Sequence, residues 1–166
     1  MIVGIHHIAI GVPDFDLGLD FYTGVLGFEQ VEGTEFSGRN AKVEAAIGLQ
    51  EPAARMAMLR GGNAHIELWQ YTNPAPQDLT STPSDYGFPH FALEVKDIQS
   101  EYERLMAAGM TFVGPPVDFG ESAAVYGQDP FGNVIEIYEI RNPDQAQLAN
   151  TPLIAARQTD ISGTSS

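Results

Sequence analysis

Two stretches decide how this chain is read: HHIAIGVPDF at residues 6–15 and PHFALEVKDI at residues 89–98. They match in constant register, placing His7 with His90, Ala9 with Ala92, Ile10 with Leu93, Val12 with Val95 and Asp14 with Asp97. A second match joins AHIELWQY at residues 64–71 to NVIEIYEI at residues 133–140. It places Glu67 over Glu136, Ile66 over Ile135 and Trp69 over Tyr138. Repeated units decide an architecture before single elements do. Each half opens on a His strand and closes on a Glu strand.

Working outward, residues 5–12 and 90–95 carry the bulky apolar residues of strands. Asp14 and Asp97 follow where helix N-caps belong. The first helix is predicted over about residues 15–26, ending at Gly27, although Gly18 and Gly24 lower its propensity. The second covers residues 98–109, with Ile98, Tyr102, Leu105 and Met106 on one side and Gly109 as its breaker. Short strands are predicted at 29–35, 55–59 and 64–71, and again at 111–112, 123–126 and 134–140. The fold class expected is α+β: two tandem βαβββ modules that pair into a curved mixed sheet around a central metal-binding cavity. Module boundaries fall at 1–72 and 87–141. The Pro, Ser and Thr-rich residues 73–86 form a linker, and 142–166 a polar tail lying outside the core.

Composition narrows the function. The 166 residues hold 8 basic and 22 acidic side chains, a formal charge of −14, and no cysteine. Nucleic-acid binding draws its affinity from Lys and Arg, and an anionic membrane surface repels such a chain. Neither partner is expected. Without cysteine there is no disulfide, thiolate zinc site or thiol nucleophile. No apolar run is long enough to span a bilayer and no basic leader opens the chain, so a cytoplasmic location is the expectation.

The repeated residues supply the chemistry. Strand alternation puts His7 on one face with Ala9 and Gly11, and turns Ile8, Ile10 and Val12 to the other. His90 shares its face with Ala92 and Glu94. Glu67 and Glu136 alternate in the same way with Ile66 and Leu68, and with Ile135 and Ile137. Two imidazoles and two carboxylates turned into one cavity suffer desolvation and mutual repulsion unless a cation sits among them. A divalent ion held by His7, Glu67, His90 and Glu136 is therefore expected; Zn, Ni, Co, Fe and Mn all suit the donors, and the sequence does not choose.

HHIAIGVPD with FYTGVLGF, and PHFALEVKD with DPFGNVIEIYE, resemble the modules of the vicinal oxygen chelate superfamily, which includes glyoxalase I, methylmalonyl-CoA epimerase, extradiol dioxygenases and bleomycin resistance proteins. The resemblance covers residues 2–140. It implies that the four repeated residues are the metal ligands, and that Glu67 or Glu136 is the catalytic base acting beside a metal-chelated carbonyl of a small substrate. The activity implied is that of a glyoxalase-like lyase, isomerase or epimerase, in a homodimer. Two alternatives stand beside it: an Fe(II) extradiol-type dioxygenase built on His7, His90 and Glu136, and a metal-free binding protein. The Arg-bearing stretch that binds glutathione in glyoxalase I has no match in VPDFDLGLDFY, which leaves Arg39, Lys42, Arg55 and Arg60 as cations open to an anionic substrate. His65 shares the Glu67 face as a polar contact, and His6 is expected to turn away from His7. The DPFGN turn at residues 129–133 is given no chemistry.

Overall fold

A computed structural model describes residue 2 and residues 4–78 and 82–150. The first module runs β1 (His7–Gly11), α1 (Phe15–Asp20), a π-helical turn (Phe21–Val25), β2 (Glu29–Phe36), α2 (Ala41–Ile47), β3 (Ala53–Gly61) and β4 (Ala64–Asn73). The second runs β5 (Phe91–Glu94), α3 (Ile98–Ala107), β6 (Thr111–Phe112), β7 (Val117–Asp118), β8 (Ser122–Gln128) and β9 (Val134–Ile140). Each module builds its own sheet, in the orders β1-β4-β3-β2 and β5-β9-β8-β6, with β7 alongside β8. The predicted α+β repeat is thus present, its strands divided between two sheets.

The first and last strands of each module are parallel neighbours, while the other pairs are antiparallel. Their register sets Ala9 beside Glu67 and Ala92 beside Glu136. A methyl group next to each carboxylate leaves room in front of it. Asp14 accepts from the Leu17 amide at 3.0 Å, and Asp97 from the Ser100 amide at 3.3 Å, so both expected caps are made. The first helix widens after Asp20, where the Leu26 amide reaches back to the Phe21 carbonyl. Gly18 lets α1 lie close, since a Cβ there would meet Val12, Leu68 and Phe131 at 3.2–3.4 Å.

Ile10, Leu59, Ile66 and Leu68 of the first module share one core with Ile98, Leu105, Ile135 and Ile137 of the second. Each such fully buried aliphatic side chain contributes about 1.5–3 kcal/mol. A buried hydrogen bond joins the modules as well, from the Tyr22 hydroxyl to Asp129 Oδ2 at 3.0 Å. Burial, followed by the Asp129 charge, raises the Tyr22 hydroxyl above its ordinary pKa. Asp129 further accepts from the Phe131 and Asn133 amides and from Asn133 Nδ2. The DPFGN turn therefore does structural work as an inter-module clamp.

Helix α2 has no counterpart in the sequence reading. Asn40 caps its amides at Lys42 and Val43, and Gly48 ends it at φ 73°, yet none of its residues is buried. The polar tail is not wholly detached either. The Leu148 amide donates to Glu94 at 2.7 Å, and Asn142 Nδ2 donates to Glu121 at 2.9 Å. The remaining tail, residues 151–166, lies outside the described residues.

Candidate metal centre

His7 opens β1 and His90 immediately precedes β5, while Glu67 and Glu136 lie within β4 and β9, so the parallel pairing of first and last strands brings each imidazole near the carboxylate of its own module. His7 Nε2 stands 3.2 Å from Glu67 Oε2. His90 Nε2 stands 3.4 Å from Glu136 Oε2. Both pairs lie on the faces away from the shared core: the alternate residues Ile66 and Leu68, or Ile135 and Ile137, are buried, while the carboxylate side chains are each 17% exposed. The face predicted from strand alternation is the face observed.

The donors suit a divalent ion. Two N and O ligands each about 2.0–2.2 Å from one ion sit about 3 Å apart, close to the separation within either pair. His90 Nδ1 is buried without a hydrogen-bond partner, leaving Nε2 as the nitrogen with work to do. What the chain does not do is bring the four together. Among the described residues, no three His, Asp or Glu side chains cluster in a manner that could hold a metal. The structure thus presents two half-sites, one per module.

The surroundings of the half-sites differ. At the first, Trp69 Nε1–H donates to Glu67 Oε2 at 3.0 Å, and the indole is stacked on Tyr71 and abuts Phe36. Contrary to expectation, the His6 ring lies against His7, with their Nδ1 atoms 2.9 Å apart, and stacks on His65. Residue 6 precedes the strand, so alternation does not govern its direction. At the second half-site the Tyr126 ring stands edge-on to His90, with centroids 5.0 Å apart. Burial, and then the neighbouring carboxylate, raises the hydroxyl pKa of Tyr71 beside Glu67 and of Tyr126 beside Glu136. Both remain hydroxyl donors at neutral pH.

A cavity of about 560 Å³ lies between the modules, within the range of small-molecule sites. Trp69, Tyr71, Phe88, Phe91 and Phe131 give it aromatic walls, and His90 borders it. Asp78 is the only formally charged side chain lining it among the described residues. The cations considered for an anionic substrate are occupied elsewhere: Arg55 pairs with Asp16 and covers the Phe15 ring, Arg60 pairs with Glu29, and Arg39 with Glu51. The Trp69 and His6 contacts depend on side-chain direction and leave no pattern in the sequence.

Comparison with known proteins places these observations. Residues 4–137 match the model of the Glyoxalase/Bleomycin resistance protein/Dioxygenase superfamily. A 2-epi-5-epi-valiolone epimerase from Actinomyces sp. is 32% identical over 151 residues, covering 83% of this chain and 80% of that protein. A lactoylglutathione lyase from Pseudomonas aeruginosa is 29% identical over 143 residues, covering 81% of each chain. The crystal structure of a glyoxalase family protein from Bacillus cereus superposes with a TM-score of 0.76 at 20% identity, covering 86% of this chain and 97% of that one, and so shares the fold. The repeated modules, the paired His and Glu residues and these likenesses have one explanation: the chain belongs to the Glyoxalase/Bleomycin resistance protein/Dioxygenase superfamily.

Proposed function

We propose that the protein is a divalent-metal-dependent lyase, isomerase or epimerase acting on a small, uncharged carbonyl compound. The observation that carries this reading is the presence of a His–Glu pair at ligand spacing in both modules. His7, Glu67, His90 and Glu136 are the residues that would hold the ion. Bound beside a carbonyl, such an ion would act as a Lewis acid and make the adjacent C–H more acidic. One of the two glutamates takes that proton and returns it to the same or the neighbouring carbon, so the product is an isomer and no electrons change hands. The epimerase and the lyase among the relatives support this class of reaction. Glu67 lies against His7, which favours four protein ligands over the three of an extradiol dioxygenase.

Because each chain carries two separated halves, the complete centre is shared: His7 and Glu67 of one copy meet His90 and Glu136 of a second. Ile5 is 83% exposed just before the first half-site and Phe88 is 62% exposed before the second. Apolar surface in these places fits an interface between copies. The uncharged substrate is inferred from the cavity, which among the described residues offers no Lys or Arg to a carboxylate or phosphate. Glutathione conjugates are therefore poor candidates.

Mixing two inactive chains tests the shared centre. One carries His7→Ala and Glu67→Ala, the other His90→Ala and Glu136→Ala. Each alone should bind no stoichiometric metal, while the mixed dimer should recover one ion and measurable activity. Failure to recover either in a mixed dimer that forms would sink the shared arrangement. For the reaction, an uncharged α-hydroxyketone in D₂O should gain deuterium at the carbon beside the carbonyl. Oxygen consumption with catechols in its place would transfer the protein to the dioxygenases.

A further inference from the structure

The half-sites carry equivalent ligands but unequal support. Resting on the metal reading above, we infer that Trp69 and His6 are positioning residues that prearrange the His7–Glu67 pair, making it the anchoring half of the centre. Trp69 Nε1–H reaches the oxygen of Glu67 that faces His7, at 3.0 Å. The indole is itself held between the Tyr71 stack, 5.3 Å between centroids, and the Phe36 edge at 6.1 Å. A donor locked by its neighbours restricts the carboxylate to one rotamer. On the other ligand, a metal at His7 Nε2 requires the ring proton on Nδ1, and that N–H then points at His6 Nδ1, 2.9 Å away. Ligating imidazoles commonly donate their second N–H in this way, which fixes both tautomer and ring.

The second half-site has neither contact. Tyr138 occupies the place of Trp69, two residues beyond the glutamate, yet among the described residues Glu136 makes its close polar contact with His90 and not with Tyr138. His90 Nδ1 is buried with no partner where His7 Nδ1 has one. The duplication therefore ends at the ligands. A prearranged pair loses less side-chain freedom on binding, so the first half-site takes the ion and the second closes on it.

Trp69 is the single tryptophan of the chain, which makes one indole ¹⁵N–¹H resonance a direct reporter. In the metal-free full-length protein, Glu67→Gln should move that resonance and Glu136→Gln should leave it in place. Titrated with Zn²⁺, Ni²⁺ or Co²⁺ alone, Trp69→Phe and His6→Ala should each bind about 10–100-fold more weakly than the parent, the range for lost outer-shell partners. Tyr138→Phe should bind normally. Thermal melting of the metal-free variants separates positioning from folding: affinity falls while the midpoint holds. An indole resonance indifferent to Glu67→Gln, or a folded Trp69→Phe variant with parental affinity, overturns the inference while leaving the metal reading intact. A parent that binds none of the three ions defeats the metal reading instead, and if Trp69→Phe does not fold, the resonance arm decides alone.

Discussion

The two modules repeat the same strand frame and diverge in everything attached to it. In the first, β2, β3 and β4 run to 8, 9 and 10 residues, and an additional helix, α2, enters between β2 and β3. In the second, β6 and β7 are two residues each, and the segment after β9 turns back to Glu94. Only the frame is needed to present a His and a Glu on one face. The comparison teaches that ligand identity is a property of the repeat, whereas ligand support belongs to the individual module.

The largest expected effect breaks the equivalence from either side. If both pairs hold one ion, His7→Ala and His90→Ala should each weaken metal binding by more than about 100-fold, beyond the loss typical of outer-shell partners. Calorimetric titration of the metal-free protein measures it. A centre that survives loss of one histidine and not the other would reduce the second pair to a structural contact.

Next comes the clamp between modules. Asp129 gathers four donors while only 3% exposed. Asp129→Ala strands buried donors and should cost about 3 kcal/mol or more, whereas Tyr22→Phe removes one donor and should cost about 1–3 kcal/mol. Denaturant unfolding gives both values. If the two variants cost the same small amount, the modules are held by apolar packing alone.

The legible parts of this molecule are those in which side-chain period and fold agree. The faces of Glu67 and Glu136 were legible because each sits between buried aliphatics on a strand, and the pairing of His7 with Glu67 and of His90 with Glu136 was legible because the repeat supplied every position twice. Helix α2 escaped because it buries no face and so has no apolar period; only Asn40 and Gly48 mark it. The His6 contact escaped because it lies before the strand begins. The separation of the half-sites escaped for a different reason: two sheets can meet through helices or through strand edges with the same alternation in each strand. Inter-module geometry is set by Tyr22, Asp129 and the shared core, which no local pattern reveals.

A smaller effect compares two glycines that admit an aromatic ring in corresponding layers. A Cβ on Gly61 would meet the Phe28 ring at 2.7 Å, and one on Gly127 would meet Met110 at 2.6 Å and Phe112 at 2.8 Å. Either Gly→Ala change should cost about 1–3 kcal/mol by overpacking. Gly127 should be the worse, since Met110 is only 2% exposed and cannot swing outward. Equal costs would show that the rings alone set the limit.

The smallest effect concerns an exposed ion pair in each module, Asp16 with Arg55 and Asp118 with Arg141. The arginine hydrogen bond holds each carboxyl below its ordinary pKa of 3.8, helped at Asp118 by the Gly120 amide. A carboxyl that is more acidic in the folded chain binds its proton less readily there than in the unfolded chain. Its stabilising contribution is therefore complete above the unfolded value, near pH 4, and fades as pH falls through the lowered folded value. Asp16→Asn and Asp118→Asn remove the titrating group, so each should flatten the melting-temperature curve below about pH 4. Both pairs are open to solvent, so the flattening should be slight and should shrink further in high salt. Because Asp118 has the second, backbone donor, its substitution should flatten the curve more than that of Asp16. The reverse order would mean that the Arg55 stack over Phe15, 4.2 Å from the ring centroid, organises its pair better than the Gly120 amide organises the other.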